Sequence, residues 1–243
     1  MPDHPVVSPQ KWLEARQALL EKEKQFSRLR DEMVREIRAL PWQKIEKNYL
    51  FDGPAGKESL ADLFQGRSQL LIYHFMFDPS WDEGCPACSM CADHYDPSIV
   101  FLNQRDVSMV TVSRAPLEKL QAYRERMGWE FKWVSSLESD FNQDFHVSFS
   151  NEQIERREVF YNYGLDNAFQ LPELPGMSVF YQDADGTVFH TYSTYARGLD
   201  AFLGVYRLLD IVPKGRDEAD LPYPMAWVRP HDRYGEPEVH TLE

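Results

Sequence analysis

The distribution of apolar residues along the chain predicts a long N-terminal helix. Residues 8–40 carry apolar side chains at intervals of three and four, with Ser8 as N-cap, Pro9 as the first helical residue, and Pro41 as the terminator. Only Lys22, near the middle, interrupts this stripe. The members of the stripe are Trp12, Ala15, Leu19, Phe26, Leu29, Met33, Ile37 and Leu40. We expect the stripe either to pack on the chain's own domain or to serve as a dimer arm.

Beyond the helix, the pattern changes to alternating strands and helices. Residues 69–77, QLLIYHFMF, are apolar on both alternating faces, which is typical of a central strand that is covered on both sides. Before them, YLFDGPAGKESLADLF predicts a short strand, a turn and a helical turn capped by Ser59. The predicted elements after the central strand are a helix holding the cysteines to about Asn103, a strand at 107–113, a helix at 116–128, a strand at 130–136, a hairpin at 177–193 and a helix at 199–212.

This order predicts an α/β sandwich with a mixed central sheet. Strand–helix–strand units imply parallel pairing, and the late hairpin adds antiparallel strands. The chain then divides into an N-terminal helical arm (1–48), a domain (49–212) with an ordered insertion at about 137–175, and an extended C-terminal tail (213–243).

Composition and charge narrow the classes of function. The 243 residues, 43% of them apolar, suit one domain with arms, and the net charge of −13 disfavours binding to nucleic acid or to an anionic membrane. The start of the chain has no secretory signal pattern, and the longest apolar run, LLIYHFMF, has eight residues, whereas a bilayer span needs roughly 20. We therefore expect a cytoplasmic location. No cofactor is expected, because no glycine-rich phosphate loop follows a strand.

The three cysteines are the strongest chemical signal. Cys85, Cys88 and Cys91 lie three residues apart in EGCPACSMCADH, an odd number that argues against a disulfide scaffold. Cys85 stands at a predicted helix start, where unpaired N–H groups and the helix dipole favour a thiolate. Cys88 lies one turn later on the same face, from which its thiol can attack a mixed disulfide at Cys85. Pro86 is tolerated in the first helical turn.

These residues resemble the thioredoxin fold over roughly 69–212. More closely, YLFDGPAGKESLADLF, LLIYHFMF, GCPACS and FHTYSTYARGLD resemble a bacterial thioredoxin-like family of predicted dithiol-disulfide oxidoreductases. The resemblance implies a protein or small-molecule disulfide substrate, a thiol reductant as partner, Cys85 as attacking thiolate and Cys88 as resolving thiol. It also implies a cis-proline before the third strand of the fold, which LPGMSVFYQDADG places at Pro175, beside the substrate groove.

The sequence departs from related families at three positions. Gly84 stands where thioredoxins usually carry tryptophan, so docking to ordinary thioredoxin partners is not expected. Asp78 and Asp82 occupy the positions at which peroxiredoxins carry proline and a Thr or Ser before their peroxidatic cysteine. This disfavours a peroxidase of that type.

Several residues are weaker candidates for a supporting role. Asp78 and Asp82 are either proton acceptors for the resolving thiol or solvated loop carboxylates. Arg197, in TYARGLD, either steadies an anionic substrate or thiolate or forms a structural ion pair. Cys91 is either a second resolving thiol or a buried cysteine, and His74 is expected to be a core histidine.

Two other functions remain open at this level. The three cysteines, with His94 as a fourth ligand, could bind zinc or support an iron–sulfur cluster, although four residues spaced by three on one helix do not converge tetrahedrally. The fold could instead serve as a non-catalytic binding module, which the long N-terminal helix favours.

Overall fold

A computed structural model describes residues 4–165 and 171–235. Phe169, part of the predicted insertion, and residues 236–243 of the predicted tail lie outside these ranges. The helices are α1 (Pro9–Ala39), α2 (Pro86–Tyr95), α3 (Ile99–Asn103), α4 (Leu117–Met127), α5 (Phe141–Asp144), α6 (Asn151–Glu155) and α7 (Gly204–Leu209). The strands are β1 (Gln43–Lys44), β2 (Leu50–Gly53), β3 (Gly56–Ser59), β4 (Gln69–His74), β5 (Val107–Ser113), β6 (Lys132–Ser135), β7 (Phe160–Tyr161), β8 (Gly164–Leu165), β9 (Gly176–Gln182) and β10 (Val188–Tyr195).

Eight strands form one mixed sheet in the order β1-β10-β9-β4-β5-β6-β2-β3. β4, β5 and β6 are parallel, as the strand–helix–strand order predicts, whereas β9 runs antiparallel to β4 and β10 antiparallel to β9. The predicted central strand is confirmed, because β4 lies in the interior of the sheet. The predicted α/β sandwich with a mixed central sheet is therefore confirmed.

Side chains alternate across β4 and build two separate cores. On one face, Tyr73 and the following Phe75 join the cluster that contains Cys88 and Cys91, together with apolar residues of α4. On the other face, Leu70 and Ile72 pack in a second cluster beneath residues 60–64 and α5. The cysteine helix α2 thus lies on one defined face of the sheet.

Helix α1 begins as predicted, with the Ser8 hydroxyl accepting a hydrogen bond from the Lys11 N–H at 3.4 Å. No residue of α1 is buried, and only Arg16 and Ile37 are half-buried. The expectation that its stripe packs on the chain's own domain is wrong. After the helix, Trp42 packs on Tyr181 and Phe189, and β1 pairs with β10. Within the described residues, no helix has both the length and the apolar character needed to cross a bilayer.

The region after β10 differs from the single helix predicted at 199–212. It forms a 3-10 helix at Ala196–Phe202 and then the short α7, with Leu203 in an extended conformation between them. Leu199, Leu203 and Tyr206 are buried in the cluster that holds Cys88 and Cys91. The apolar residues of the segment therefore pack on the predicted side, against the cluster of the cysteine helix, although the backbone is not one continuous α-helix.

The insertion and the tail are both ordered where they are described. The insertion builds its own small core around Val147, Phe149 and Tyr161. The tail contains one 3-10 turn, His231–Arg233, and folds back on the domain so that Val228 is buried in the same cluster as the cysteines. Its Trp227 indole donates to a Glu218 carboxylate at 2.7 Å.

Candidate functional site

The cysteine motif begins immediately beyond the end of β4. The Cys85 N–H donates to the Met76 carbonyl at 3.1 Å, which fixes the helix start beside the central strand. The loop between them is fastened by Lys119, whose ammonium donates to the Pro79 and Trp81 carbonyls at 2.9 and 2.8 Å. Sequence reasoning missed Lys119, because it lies on α4 and reaches the loop only in the folded chain.

Cys85 occupies the N-cap position of α2, as predicted, with Pro86 as the first helical residue. Its carbonyl accepts from the Ser89 N–H at 2.9 Å and from the Ser89 hydroxyl at 3.0 Å. Ser89 is held in turn by the Tyr123 hydroxyl at 3.0 Å. These hydrogen bonds hold the start of the helix in place. The Cys85 side chain is half-buried, whereas Cys88 and Cys91 are buried.

The local environment separates the acidities of the cysteines. The Cys88 thiol can donate to the Cys85 sulfur and lowers the pKa of Cys85 below its ordinary value, and the backbone amides of Cys88 and Ala87 act in the same direction against desolvation. Burial raises the pKa of Cys88 well above its ordinary value, and the proximity of Cys85 adds to this. Burial raises the pKa of Cys91 to about 12. Cys85, the only one of the three cysteines whose pKa is lowered, is thus also the most accessible one.

Tyr73 lies beneath the dithiol. Its hydroxyl donates to the Cys88 carbonyl at 3.4 Å, and it faces the Cys91 thiol, which Tyr95 also approaches. These contacts make Cys91 part of the floor of the site. The alternating pattern of β4 gave the signal for Tyr73, since every second residue of that strand faces α2.

The structure places Pro175 at the same sheet edge as Cys85. Its successor Gly176 pairs with His74 at the end of β4, so Pro175 lies level with Phe75. The Pro175 carbonyl accepts from the Tyr161 hydroxyl at 2.6 Å. The cis-proline implied by the resemblance is not present, because every described peptide bond is trans.

The other predicted supporting residues are dispersed around this edge. Asp78 is buried and accepts hydrogen bonds from the Ser80 N–H and hydroxyl at 2.8 and 2.6 Å, whereas Asp82 is exposed. Arg197 extends into solvent and lies 3.6 Å from the Asp200 carboxylate. In the described part of the chain, neither the carboxylates of Asp78 and Asp82 nor the guanidinium of Arg197 makes a contact with Cys85.

A buried polar cluster at the same edge was not found from sequence. The Glu173 carboxylate is 1% exposed and accepts from the Ser148 hydroxyl at 2.6 Å and from Arg114 at 3.1 Å. Burial raises the pKa of Glu173 to about 7, and the nearby Asp78 adds to the shift while Arg114 opposes it. Arg114, Ser148 and Glu173 come from separate parts of the chain, so no local sequence motif indicates this cluster.

Neither histidine of the sequence analysis is free to act at the dithiol. His74 lies on the opposite face of β4, hydrogen-bonded to the Ser178 hydroxyl at 2.8 Å and stacked on Phe141, as expected of a core histidine. His94 engages the Met90 carbonyl at 2.7 Å through Nδ1 and the Val205 N–H at 3.1 Å through Nε2. Within residues 4–165 and 171–235, no group of three or more His, Cys, Asp or Glu side chains is arranged to hold a metal ion.

A family model described as "Bacterial protein of unknown function (DUF899)" matches residues 1–234. No match was found among curated proteins.

Among solved structures, a peroxidoxin BcpB from Mycobacterium tuberculosis is 15% identical, with a TM-score of 0.44 over 67% of this chain and 93% of its own. A PrxQ mutant from Xylella fastidiosa is 10% identical, with a TM-score of 0.45 over 69% and 94%. A putative thiol:disulfide interchange protein DsbE from Chlorobium tepidum is 13% identical, with a TM-score of 0.40 over 67% and 92%.

Proposed function

The chain belongs to the DUF899 family of bacterial proteins of unknown function, and we propose that it is a thiol–disulfide oxidoreductase acting through Cys85 and Cys88. The observation that carries this proposal is the pairing of a half-buried cysteine of lowered pKa with a buried partner of raised pKa one helical turn away. This is the division of roles that exchange requires: one sulfur must be reached by the substrate, and the other must stay protected until a mixed disulfide forms.

The reaction follows from this division. The Cys85 thiolate attacks one sulfur of a substrate disulfide, whose S–S bond breaks and releases one substrate thiolate, and a mixed disulfide with Cys85 remains. Cys88 then gives its proton to the substrate thiolate already released and attacks the Cys85 sulfur, which breaks the mixed disulfide, releases the second substrate thiolate and leaves a Cys85–Cys88 disulfide. A thiol reductant returns the enzyme to the dithiol. Two electrons pass from the dithiol to the substrate in each cycle.

The substrate approaches from the sheet edge that holds the Cys85 side chain and Pro175. Pro175 borders this entrance and shapes the groove, and its carbonyl is fixed by Tyr161. Exposed Asp82 and Arg197 lie in segments next to the site and influence which charged substrates dock. Cys91 forms the floor and does not make the first attack, because burial keeps its thiol protonated at neutral pH.

The first test is to count thiols and metals in protein purified without oxygen. Oxidation with a mild disulfide should remove two of the three thiols and a dithiol reductant should restore them, with neither iron nor zinc at stoichiometric amounts. Stoichiometric metal with no thiols gained on reduction would contradict the proposal and assign the cysteines as ligands instead.

The roles are separated by single substitutions assayed with a small-molecule disulfide and with a disulfide-bonded protein. Cys85→Ser should abolish disulfide reduction, and Cys88→Ser should trap the substrate as a stable mixed disulfide with Cys85. Cys91→Ser is the matched control on the same helix and should retain turnover. Full activity in Cys85→Ser would refute the assignment.

A further inference from the structure

Helix α1 carries an apolar stripe that nothing in the described chain covers. Five of its large members recur every seven residues, at Trp12, Leu19, Phe26, Met33 and Leu40, and the exposed fractions of these five run from 44% at Leu40 to 62% at Phe26. A strict seven-residue repeat places side chains on one seam of a helix, as in a coiled coil. A seam of this kind on an exposed helix requires a partner helix.

With the exception of Leu29, the spacing of the stripe is symmetric about Phe26. Leu19 and Met33 stand seven residues before and after it, Trp12 and Leu40 fourteen, and Ala15 and Ile37 eleven. If two copies of α1 run antiparallel around a two-fold axis at Phe26, every one of these residues therefore meets an apolar residue of the other copy. A two-fold interface must be complementary to itself, and this self-matching meets that condition for a second copy of the chain.

Charges beside the stripe favour the antiparallel arrangement. Glu23 and Arg30 lie on the same flank of α1 at positions that face each other across the axis, so that Glu23 approaches Arg30 of the partner subunit. Within one chain Glu23 already pairs with Arg16 at 2.8 Å, whereas Arg30 has no ion pair among the described residues. A parallel pair in register would instead place the two Lys22 ammonium groups side by side.

The stripe is also large enough for a dimer. At 1.5 Å per residue, the 31 residues of α1 extend about 46 Å, and the third of the helix surface that faces a partner amounts to roughly 600 Å². Two such surfaces give roughly 1,200 Å², the lower limit for stable interfaces between proteins.

We propose that α1 is a dimerisation helix, which pairs antiparallel with α1 of a second copy around Phe26. The domains then lie at opposite ends of the helix pair, each attached through β1 to its own sheet. This inference does not depend on the chemistry of the dithiol, so the failure of one leaves the other standing.

Light scattering on the full chain after size-exclusion chromatography tests the proposal. Wild-type protein should have twice the 28.5 kDa mass of one chain, and Leu19→Asp and Phe26→Asp should each reduce it to one chain. Gln17→Asp is the matched control, because it introduces the same charge on the opposite face of α1 and should leave the dimer intact. Wild-type protein that stays at 28.5 kDa over a concentration series would overturn the proposal, as would a dimer that both stripe variants preserve.

Small-angle X-ray scattering on wild-type protein then tests the orientation without any substitution. An antiparallel pair separates the two Leu40 residues by about 42 Å, so the distance distribution should have a second maximum from two distant domains. A single maximum from adjacent domains would overturn the antiparallel arrangement.

Discussion

Glu173 gives a quantitative prediction about stability. The pKa of this buried carboxyl is raised from an ordinary 4.5 to about 7, mainly by desolvation. A group whose pKa is raised on folding stabilises the folded state while it is protonated, and that contribution is lost as the pH rises through its folded pKa. The difference between 4.5 and about 7 corresponds to roughly 3 kcal/mol. Between mildly acidic and mildly alkaline pH, the wild type should therefore lose roughly this much free energy of unfolding through Glu173 alone.

The matched comparison is with Glu173→Gln, which keeps an acceptor for Ser148 and cannot ionise. Urea unfolding followed by tryptophan fluorescence over a pH series gives the free energy of unfolding of both proteins, and other titrating groups cancel in the difference. The free energy of unfolding falls by about 1–3 kcal/mol for each molar of urea. As the pH rises, the urea concentration at which Glu173→Gln is half unfolded should therefore increase relative to that of the wild type by roughly 1 M or more. Glu138→Gln, at an exposed carboxylate that pairs with Lys57, is the control and should show no such trend. A difference between wild type and Glu173→Gln that does not change with pH would refute the raised pKa.

Three further outcomes are expected. Cys85 should be alkylated by iodoacetamide at pH values below the ordinary pKa of a thiol, while Cys88 and Cys91 stay protected. Mass spectrometry after brief labelling tests this order, and modification of Cys88 or Cys91 before Cys85 would contradict it. Gly84→Ala should cost about 1–3 kcal/mol in chemical denaturation, because its Cβ would lie 2.6 Å from Cε1 of the buried Phe75 ring, whereas Gly164→Ala, with no atom within 4 Å of its Cβ, should cost much less. Burial lowers the pKa of His74 to about 3, so its ring resonances in NMR spectra should stay constant from about pH 5 to 8, and a titration in that range would show that water reaches the ring.

Local signals explain why the elements around the dithiol could be predicted. Cys85 precedes a proline, and proline at the first helical position leaves its predecessor as the N-cap. The residues of β4 are apolar on both faces, which only a doubly covered strand needs. Gly128, in a left-handed conformation, ends α4 where the sequence indicates.

What could not be predicted depends on contacts between distant parts of the chain. Arg114 and Glu173 are separated by 59 residues and meet only because β5 and the segment before β9 end at one edge of the sheet. The apolar spacing of residues 199–212 predicts one α-helix, yet Leu199 lies in a 3-10 helix and packs in the cluster that holds Cys88 and Cys91. The burial of Val228 in the cluster that holds Cys88 and Cys91 could not be predicted either, because the short apolar run of residues 225–228 does not by itself show where on the domain it packs.

The position of Val228 also sets an order of events during synthesis. Cys88 and Cys91 belong to the same buried cluster as Val228, which the ribosome adds much later than either cysteine. At about 5–20 residues per second, roughly 7–28 s pass between the synthesis of Cys88 and that of Val228. Throughout this interval the nascent chain holds its two inner thiols without their final cover, so their protection from oxidants depends on the speed of translation as well as on the finished fold.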